Sequence, residues 1–228
     1  MSNCELCVLR ELGNLKSLSK KEIHNFSKHK DTIDFKKGDI LFSEGNVLNG
    51  VYCIREGICK MSRLSENGKE QIVKFIKKGD MLGYRSVLSE EPVTLTAIAL
   101  KDLKACYISK SDIFKAMRTN SKFSIEMTKT VCQDLRDANM IITNMAQKHV
   151  KERLADTLIF LRNTFGVDDD GYLDLVLTRE ELSSVIGTAT ESAIRLLSEF
   201  KKKGLIKLKG KKIEIIDEHE LLKISQGF

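Results

Sequence analysis

The apolar positions between residues 31 and 108 fall in short segments that glycines separate. These segments include DILFSEG, GVYCIREG, EQIVKFIKKG and KACYIS, and the glycines stand at positions 38, 45, 50, 57, 68, 79 and 83. Short, regularly spaced runs of β-branched and apolar residues are typical of an antiparallel sandwich or barrel. Within this region SENGKE predicts a hairpin, in which Asn67-Gly68 takes the positive φ angles of a tight primed turn.

Beyond Ser109 the apolar spacing changes to that of a helix. Steps of three and four alternate at Thr128, Val131, Leu135, Ala138, Ile142, Met145 and His149. This heptad-like stripe predicts a helix from about residue 121 to residue 164, with a break near Gln147. The stripe is narrow and has charged neighbours, which favours pairing with a second copy through Val131, Leu135, Ala138, Ile142 and Met145. The alternative is a helix that packs on its own domain.

The segments that follow predict a second, smaller unit. LADTLIFLRNTFG continues the helix and ends it at Gly166, VDDDG is a charged turn, and YLDLVLT alternates as a strand does. We therefore divide the chain into a β-rich domain at residues 1–120, a helix at 121–148 and a second domain at 149–228.

The stretch LTREELSSVIGTATESAIRLLSEFKKKG predicts two short helices joined by a tight turn at Gly187. Thr178 and Glu181 have the spacing of a capping box, and so do Thr188 and Glu191. The two helices should span residues 179–186 and 189–203. This arrangement is that of a helix-turn-helix, whose second helix enters the major groove of DNA.

The second of these helices has two chemically different faces. One face should be core and carries Ala193, Leu196, Leu197 and Phe200. The other face presents Glu191, Ile194, Arg195 and Ser198. Arginine can donate two hydrogen bonds to guanine, glutamate can accept from cytosine, and an aliphatic side chain can pack on a thymine methyl. Glu191 has two competing interpretations, as part of a capping box or as an i,i+4 partner of Arg195. Thr188, Thr190 and Ser192 complete the candidate contacts.

After this helix GLIKLKGKKIEII alternates apolar and basic residues around Lys209-Gly210, which predicts a small hairpin. Its lysines could lie along phosphates and add salt-dependent affinity without sequence preference; they are Lys207, Lys209, Lys211 and Lys212. The whole chain has a net charge of only +6. The local concentration of basic residues from Arg195 to Lys212 is more informative, although a solvated face is the alternative interpretation.

Composition and cysteine content narrow the class of protein. The 228 residues are 42% hydrophobic with one proline, and no apolar run has the length of a signal peptide or a membrane span. We therefore expect a cytoplasmic protein with no membrane partner, in which six cysteines serve metal binding, redox sensing or burial rather than disulfides. The four histidines are scattered, and no phosphate loop, nucleophile elbow or paired-acid motif is present, so we do not expect an enzyme.

An ordered set of segments resembles the CRP/FNR family of bacterial transcription regulators over nearly the whole chain. The segments are FKKGDILFSEG, VYCIREGICKMS, GKEQIVKFIKKGDMLG, KERLADTLIFL and LTREELSSVIGTATESAIRLLSEFKKKGLI. The resemblance implies an α+β fold with an N-terminal antiparallel β-roll of the cyclic-nucleotide-binding jelly-roll type, a long dimerisation helix and a C-terminal winged helix-turn-helix. It also implies a homodimer on double-stranded DNA with an inverted repeat, and RNA polymerase as a partner.

The family's E-x-x-x-R recognition signature falls on Glu191 and Arg195 of this sequence. In the FNR branch a serine usually precedes the arginine, whereas this chain has Ile194 there. The base preference at the outer part of the half-site is therefore expected to differ from that of the branch.

The resemblance further implies a signal at the β-roll. Cyclic-nucleotide binders of the family carry a Gly-Glu pair and an Arg-Ser pair, but here Tyr84 stands at the glutamate position and Thr94 or Leu95 at the arginine position. A buried cyclic phosphate without that arginine would lack its main partner, so we do not expect cAMP to bind. A cyclic-nucleotide-binding module that acts on a protein partner is the alternative.

The FNR branch senses oxygen through a [4Fe-4S] cluster held by three N-terminal cysteines and one in the roll, so the resemblance implies oxygen or redox as the signal. Cys4 and Cys7 match two of the N-terminal ligands and Cys106 matches the roll ligand, so the resemblance implies an iron–sulfur cluster on these thiolates. The third N-terminal position aligns with Gly13, which cannot ligate. Glu11 and Asn14 are nearby candidates. A thiol-redox switch without metal, or an unidentified small ligand in the roll, are the alternatives.

The other three cysteines have simpler interpretations. Cys53 and Cys59 lie in predicted strands, where we expect buried apolar fillers. Cys132 lies beside the heptad-like stripe, where a structural role is favoured over a disulfide between subunits.

Overall fold

The computed structural model describes residues 14–29 and 31–227, which form two compact units. The first unit contains the chain up to Leu64 together with Ile72–Arg136, and the second contains Ser65–Gln71 together with Asp137–Phe228. One long helix contributes its first part to the first unit and its last part to the second.

Among the described residues, eight short strands lie wholly in the first unit or, for the strand that begins at Glu70, mostly in it. They are β1 (Asp31–Phe35), β2 (Ile40–Phe42), β3 (Gly50–Glu56), β4 (Cys59–Leu64), β5 (Glu70–Ile76), β6 (Met81–Leu82), β7 (Thr96–Ala99) and β8 (Leu103–Ser109). They form two four-stranded sheets with the orders β1-β8-β3-β6 and β2-β7-β4-β5. The pairs β1–β8, β3–β8, β3–β6, β2–β7 and β4–β7 are all antiparallel. The predicted antiparallel β-roll is thereby confirmed.

Helices precede, interrupt and follow these strands along the chain. A 3₁₀ turn at Asn14–Ser17 precedes α1 (Lys20–His29), α2 (Tyr84–Ser89) follows β6, and α3 (Lys110–Thr119) and α4 (Ser121–Gln147) follow β8. Helix α3 begins where Ser109 accepts a hydrogen bond from the backbone N–H of Asp112. This N-cap satisfies a backbone donor that has no partner within the helix.

Strands β3 and β8 are buried on both faces because successive side chains point into different cores. Cys53 and Cys106 point into one core, which also contains Phe123 of α4. Their neighbours Ile54 and Ala105 point into the other core. Alternate side chains of each strand therefore fill different cores, and both sets must be apolar. This explains the nearly continuous apolar runs in this part of the sequence.

The hairpin between β4 and β5 forms, but its turn differs from the prediction. The backbone N–H of Gly68 donates to the carbonyl of Ser65, and the N–H of Ser65 donates to the carbonyl of Lys69. Only Gly68 of the pair has a positive φ, 79°, among the described residues. The Asn67 side chain instead accepts a hydrogen bond from the N–H of Lys69, so the turn is stabilised without a left-handed asparagine.

The second unit contains the end of α4 and the elements that follow. These are α5 (Val150–Phe165), α6 (Arg179–Ile186), α7 (Thr190–Lys202), β9 (Ile206–Lys209), β10 (Lys212–Ile215) and α8 (Glu218–Ser225). The predicted break of the long helix near Gln147 and its end at Gly166 agree with α4 and α5. Among the described helices, none has the length and apolarity needed to cross a bilayer.

The predicted strand YLDLVLT is not formed. Only an isolated antiparallel bridge between Val167 and Leu173 is present, although Leu173, Leu175 and Leu177 are all buried. The N–H of Leu173 donates to the carbonyl of Ile213 at 2.8 Å. Alternating leucines therefore fill the core of the second unit from an irregular segment, since core packing requires their spacing but not a ladder.

Candidate nucleic-acid interface

Helix α6 begins and ends as the sequence predicts. The Thr178 hydroxyl accepts from the N–H of Glu181 at 3.0 Å, and the Glu181 carboxylate accepts from the N–H of Thr178 at 2.8 Å. This is a complete capping box, which satisfies two backbone donors at the helix N-terminus. At the other end Gly187 takes a left-handed conformation with φ 65°. The turn between the two helices is therefore closed by a residue without a Cβ.

The start of α7 differs from the prediction. The N-cap is Ala189 and not Thr188, and no side chain caps the helix there. Thr188 and Glu191 therefore do not form a capping box. The Thr190 hydroxyl lies 3.2 Å from the Ser183 hydroxyl of α6, so a side-chain contact between the two helices stabilises this end instead.

The two faces of α7 separate as predicted, with one exception. Ala193, Leu197 and Phe200 are buried, whereas Leu196, which we expected in the core, is only half-buried. The exposed residues are Glu191, Ile194, Arg195 and Ser198, and Ser192 is half-buried. Ile194 is 47% exposed. About half of this aliphatic side chain therefore stays in contact with water and is available for burial against a partner.

Neither charged group on this face is neutralised within the described part of the chain. No ion pair or hydrogen bond joins the side chains of Glu191 and Arg195 there, so the i,i+4 interpretation of Glu191 is not supported. Ser198 differs, because its hydroxyl donates to the carbonyl of Ile194 at 2.9 Å. The face therefore offers one guanidinium and one carboxylate whose hydrogen-bonding capacity is not used by their own helix.

The hairpin after α7 is confirmed, with Lys209 opposite Lys212 and Lys207 opposite Glu214. Its four lysines are not equivalent. Lys207 lies 3.5 Å from the Glu214 carboxylate, and Lys212 lies 2.6 Å from that of Asp168, a hydrogen bond that raises the pKa of Lys212 and lowers that of Asp168. Within residues 14–29 and 31–227, no carboxylate partner is found for Lys209 or Lys211.

Arg179 holds the tip of this hairpin against α6, a role that sequence reasoning missed. Its guanidinium donates to the carbonyl of Gly210 at 2.9 Å and to that of Lys211 at 3.5 Å. Burial lowers the pKa of Arg179. The contact joins positions 31 and 32 apart, and no local pattern in the sequence signals it.

The predicted stripe on α4 forms an exposed apolar face, in contrast to the mostly polar exposed face of α7. Leu135 is 62% exposed and Ile142 is 66% exposed, and Val131 and Ala138 of the same stripe are also exposed. Met145 differs from these four, because it is half-buried and its sulfur lies 3.1 Å from the position that a Cβ on Gly187 would take. The last turn of α4 therefore packs on the turn between α6 and α7.

In the first unit, Tyr84 makes a polar contact where the family resemblance places a nucleotide ligand. The Tyr84 hydroxyl donates to the carboxylate of Asp134 on α4, which also accepts from Lys74 on β5. Burial, together with this hydrogen bond, raises the pKa of Tyr84. Burial also raises the pKa of the nearby Asp80 carboxyl. The Arg85 guanidinium has two partners, the Glu91 carboxylate 3.5 Å from Nη1 and the Thr94 hydroxyl, which accepts from Nη2 at 3.4 Å.

The cysteines of the first unit occupy different environments. Cys106 and Cys53 are Cα partners on β8 and β3, both buried in the same core. Cys59 is buried in the other core, and burial raises its pKa to about 12. Cys132 is exposed on α4. Cys4 and Cys7 lie outside the described residues, as do Glu11 and Gly13, and within the described ones no group of three or more metal-ligating side chains is found.

Comparisons with known proteins assign both units. A cyclic nucleotide-binding domain model matches residues 32–120, and a Crp-like helix-turn-helix domain model matches residues 152–224. The chain is 30% identical to electron transport regulator A of Shewanella oneidensis over 190 residues, which cover 82% of this chain and 75% of that protein. It is 25% identical to a CRP-like cAMP-activated global transcriptional regulator of Mycobacterium tuberculosis over 216 residues, which cover 94% and 96%.

A similar solved structure is that of a transcriptional regulator of the crp/fnr family from Eubacterium rectale. It superimposes with a TM-score of 0.78 at 22% identity, and the match covers 92% of this chain and 96% of that one. The likeness supports the fold. The Shewanella and Mycobacterium relatives are both regulators by name, which agrees with the prediction that the chain is not an enzyme.

Proposed function

Since the chain belongs to the CRP/FNR family of transcription regulators, we propose that it is a homodimer that binds inverted-repeat DNA through α7, the recognition helix. A signal at the β-roll would control this binding, and RNA polymerase in the cytoplasm would be the further partner. The observation that carries the proposal is the exposed face of α7, where Arg195 and Glu191 lie one turn apart on a helix with a buried opposite side. A major groove supplies acceptors for the first and donors for the second.

The geometry ranks the candidate contacts. Arg195 would bind guanine and Glu191 would accept from cytosine, while Ile194 would pack on a thymine methyl. Thr188, Thr190, Ser192 and Ser198 would line the groove, but the hydroxyls of Thr190 and Ser198 already have partners in the protein. Lys209 and Lys211 would contact phosphates without losing an ion pair, whereas Lys207 and Lys212 would first leave their carboxylates.

We propose that residues 121–148 form the dimerisation helix between a sensor domain at 1–120 and a DNA-binding domain at 149–228. Val131, Leu135, Ala138 and Ile142 would form the interface, since a second copy would remove their exposed apolar surface from water. Met145 would contribute at its edge. A two-fold axis would then place the two recognition helices about 34–36 Å apart, in successive major grooves.

Selection of binding sites from a random-sequence DNA duplex library tests the proposed function. We expect the purified dimer to enrich an inverted repeat with a G·C pair at the same place in each half-site. Fluorescence anisotropy at fixed salt should then give an affinity at least about 10³-fold above that for a random duplex. Enrichment of no repeat, together with equal affinity for both duplexes, would contradict it.

For the signal, we propose a thiol-based site at the β-roll. Of the three cysteines that would hold a cluster, Cys106 is described; it is buried beside the thiol of Cys53, and cysteine sulfur is the ligand that iron–sulfur clusters take. Cys4, Cys7 and Cys106 would hold an iron–sulfur cluster, which would supply one-electron redox chemistry. A thiol switch without metal would need Cys53 and Cys106 to move closer, since directly opposite residues on antiparallel strands have Cβ atoms about 4.5–5.5 Å apart and a disulfide requires about 3.5–4.5 Å.

Cyclic nucleotides are the competing signal, favoured by the family model at residues 32–120 and by the name of the mycobacterial relative. The contact between Tyr84 and Asp134 argues against them. It directs the phenol towards α4 and links α2 to that helix without a ligand. A nucleotide that needs the Tyr84 position would have to displace a hydrogen bond to the half-buried Asp134 carboxylate, which is also paired with Lys74.

Two measurements separate these signals. Anaerobic reconstitution should give about four iron and four sulfide per protomer with a visible absorption band if a [4Fe-4S] cluster binds. Cys4→Ser, Cys7→Ser and Cys106→Ser should lose it, whereas Cys59→Ser, a matched variant of a buried strand cysteine in the other core, should keep it. Colourless, metal-free protein in every case, with thiols that oxidise reversibly, would support the metal-free switch.

Calorimetry with cAMP should show no heat of binding, and tight binding would contradict the thiol proposal.

A further inference from the structure

We propose that Arg153 is a positioning residue that sets the half-site spacing accepted by the dimer. It would do so by fixing the angle between the last turn of α4 and the recognition helix. The proposal rests on the DNA-binding function proposed above and concerns a residue on α5 that touches no base in that proposal.

The guanidinium of Arg153 is hydrogen-bonded to four backbone carbonyls from two different helices. Its Nε donates to Ile186 at 2.8 Å and its Nη2 to Gly187 at 3.4 Å, at the end of α6. Its Nη1 donates to Lys148 at 2.7 Å and to Met145 at 3.4 Å, at the end of α4. One side chain therefore joins the dimerisation helix to the turn that precedes the recognition helix.

Arginine is the side chain that this junction requires. The last carbonyls of any helix have no partner within it, and they carry the negative end of the helix dipole. Helices α4 and α6 both end here, so two such groups of carbonyls face one cation. A guanidinium has five N–H donors in a rigid planar fork, whereas a lysine ammonium has three donors on one flexible atom. Lysine would keep the charge and lose the connection between the helices.

Two further side chains, those of Met145 and Lys148, show that the joined elements are closely packed. The Met145 sulfur would be 3.1 Å from a Cβ placed on Gly187, so little space separates α4 from the turn. Lys148 donates to the Asp156 carboxylate of α5 at 2.5 Å and to the Ser225 carbonyl of α8 at 2.8 Å. The carbonyl acceptors at the end of α4 are therefore held independently of Arg153.

This junction bears on spacing because the recognition helix begins at Thr190, three residues after Gly187. A change in the tilt of the turn would therefore shift the recognition helix relative to the bases of its half-site. One base pair added between half-sites moves them about 3.4 Å apart and rotates them by about 35°. A rigid junction should reject that change, and a loosened junction should tolerate it.

The test measures affinity for a series of duplexes. The repeat selected by the wild-type protein is made with its original spacing and with one base pair inserted or removed. We expect the wild-type protein to prefer the original by at least about tenfold, comparable to one mismatched base pair. In Arg153→Gln and Arg153→Lys this preference should fall by about three- to tenfold, the equivalent of a lost hydrogen bond.

Arg162→Gln is the matched control. Arg162 also lies on α5 and is half-buried, but its Nη1 pairs with the Glu218 carboxylate at 3.0 Å and touches neither helix end. It should keep the wild-type preference. Arg153 variants should also keep wild-type affinity for random duplex and wild-type circular dichroism, and Arg153→Lys decides the matter if Arg153→Gln does not fold.

The outcomes are distinguishable. Unchanged spacing preference in folded Arg153 variants would overturn the positioning role and leave the proposed function intact. A lower melting temperature with unchanged preference would do the same, because it would show a purely structural role. A wild-type protein that selects no inverted repeat would overturn the proposed function and the positioning role together.

Discussion

Two helices of this chain present exposed faces of opposite chemistry. On α4 the face is aliphatic, with Leu135 and Ile142 each more than three-fifths exposed. On α7 it carries Glu191 and Arg195, with Ile194 as the single large aliphatic residue. An apolar stripe gains free energy from any dry surface, whereas a guanidinium and a carboxylate need matched polar partners. We propose both faces as sites of binding with different partners, a second copy of the chain for α4 and DNA for α7.

The sharpest way to break this comparison is to place a charge in the α4 stripe. Leu135→Asp should dissociate the dimer, because a buried, unpaired carboxylate at the seam costs more than the interface can tolerate. Each protomer would then bind one half-site alone, and affinity for the inverted repeat should fall by about 10²-fold or more with the loss of the second contact. Sedimentation measures the dissociation, and fluorescence anisotropy measures the DNA affinity.

Met140→Asp is the control for that substitution. Met140 is 57% exposed on the same helix but lies off the stripe, so the dimer and the affinity should both persist. If both variants dissociate the dimer, the effect comes from the helix and not from the stripe. If neither does, the α4 face is not the interface.

The second prediction concerns the α7 face. Arg195→Ala should cost about 1–3 kcal/mol per half-site on the selected repeat and relax preference at the base pair that Arg195 reads. Binding to random duplex should change little, because phosphate contacts supply most of that affinity. Competition titrations with the two duplexes measure both values. Equal losses on both would show that Arg195 contributes charge and reads no base.

The pattern of the sequence predicted the fold and most of α7, for a physical reason. Periods of two and of three to four are local signals, and each face they define must be buried or exposed as a whole. The β-roll, the helix break near Gln147, the Thr178 capping box and the small hairpin all follow from such signals. The exposure of Glu191, Ile194, Arg195 and Ser198 follows from the same periodicity.

What the sequence did not predict depends on contacts between distant positions. Arg153 and Arg179 bind backbone carbonyls, which have no residue identity to recognise in a sequence. The leucines of YLDLVLT have the spacing of a strand but no neighbouring strand to pair with. Thr188 has the spacing of a capping box, but the helix is capped at Ala189 and its start is held by the Thr190 hydroxyl. The pairing of Tyr84 with Asp134 joins positions 50 apart in the chain. Each needs the tertiary structure to be seen.

The third prediction concerns the stability of the second unit and not its proposed contacts with DNA. Thr178→Ala should lower the free energy of unfolding by about 1 kcal/mol, because it removes a working N-cap. Thr188→Ala should leave stability nearly unchanged, since Thr188 caps nothing. Urea denaturation followed by circular dichroism measures both. Equal destabilisation would mean that the second capping box forms in solution.

The smallest effect is expected in the hairpin, where Lys211 and Lys207 form a matched pair of exposed lysines. Lys211→Ala should weaken binding to specific and random duplexes alike, and it should reduce the slope of log affinity against log salt by about 1. Lys207→Ala should change the slope less, because Lys207 is already 3.5 Å from the Glu214 carboxylate and gains less from a phosphate. Salt titrations of both variants on both duplexes provide the measurement. A loss confined to the selected repeat would show that the hairpin reads sequence, and the contrast between a base-reading α7 and a phosphate-binding hairpin would then be wrong.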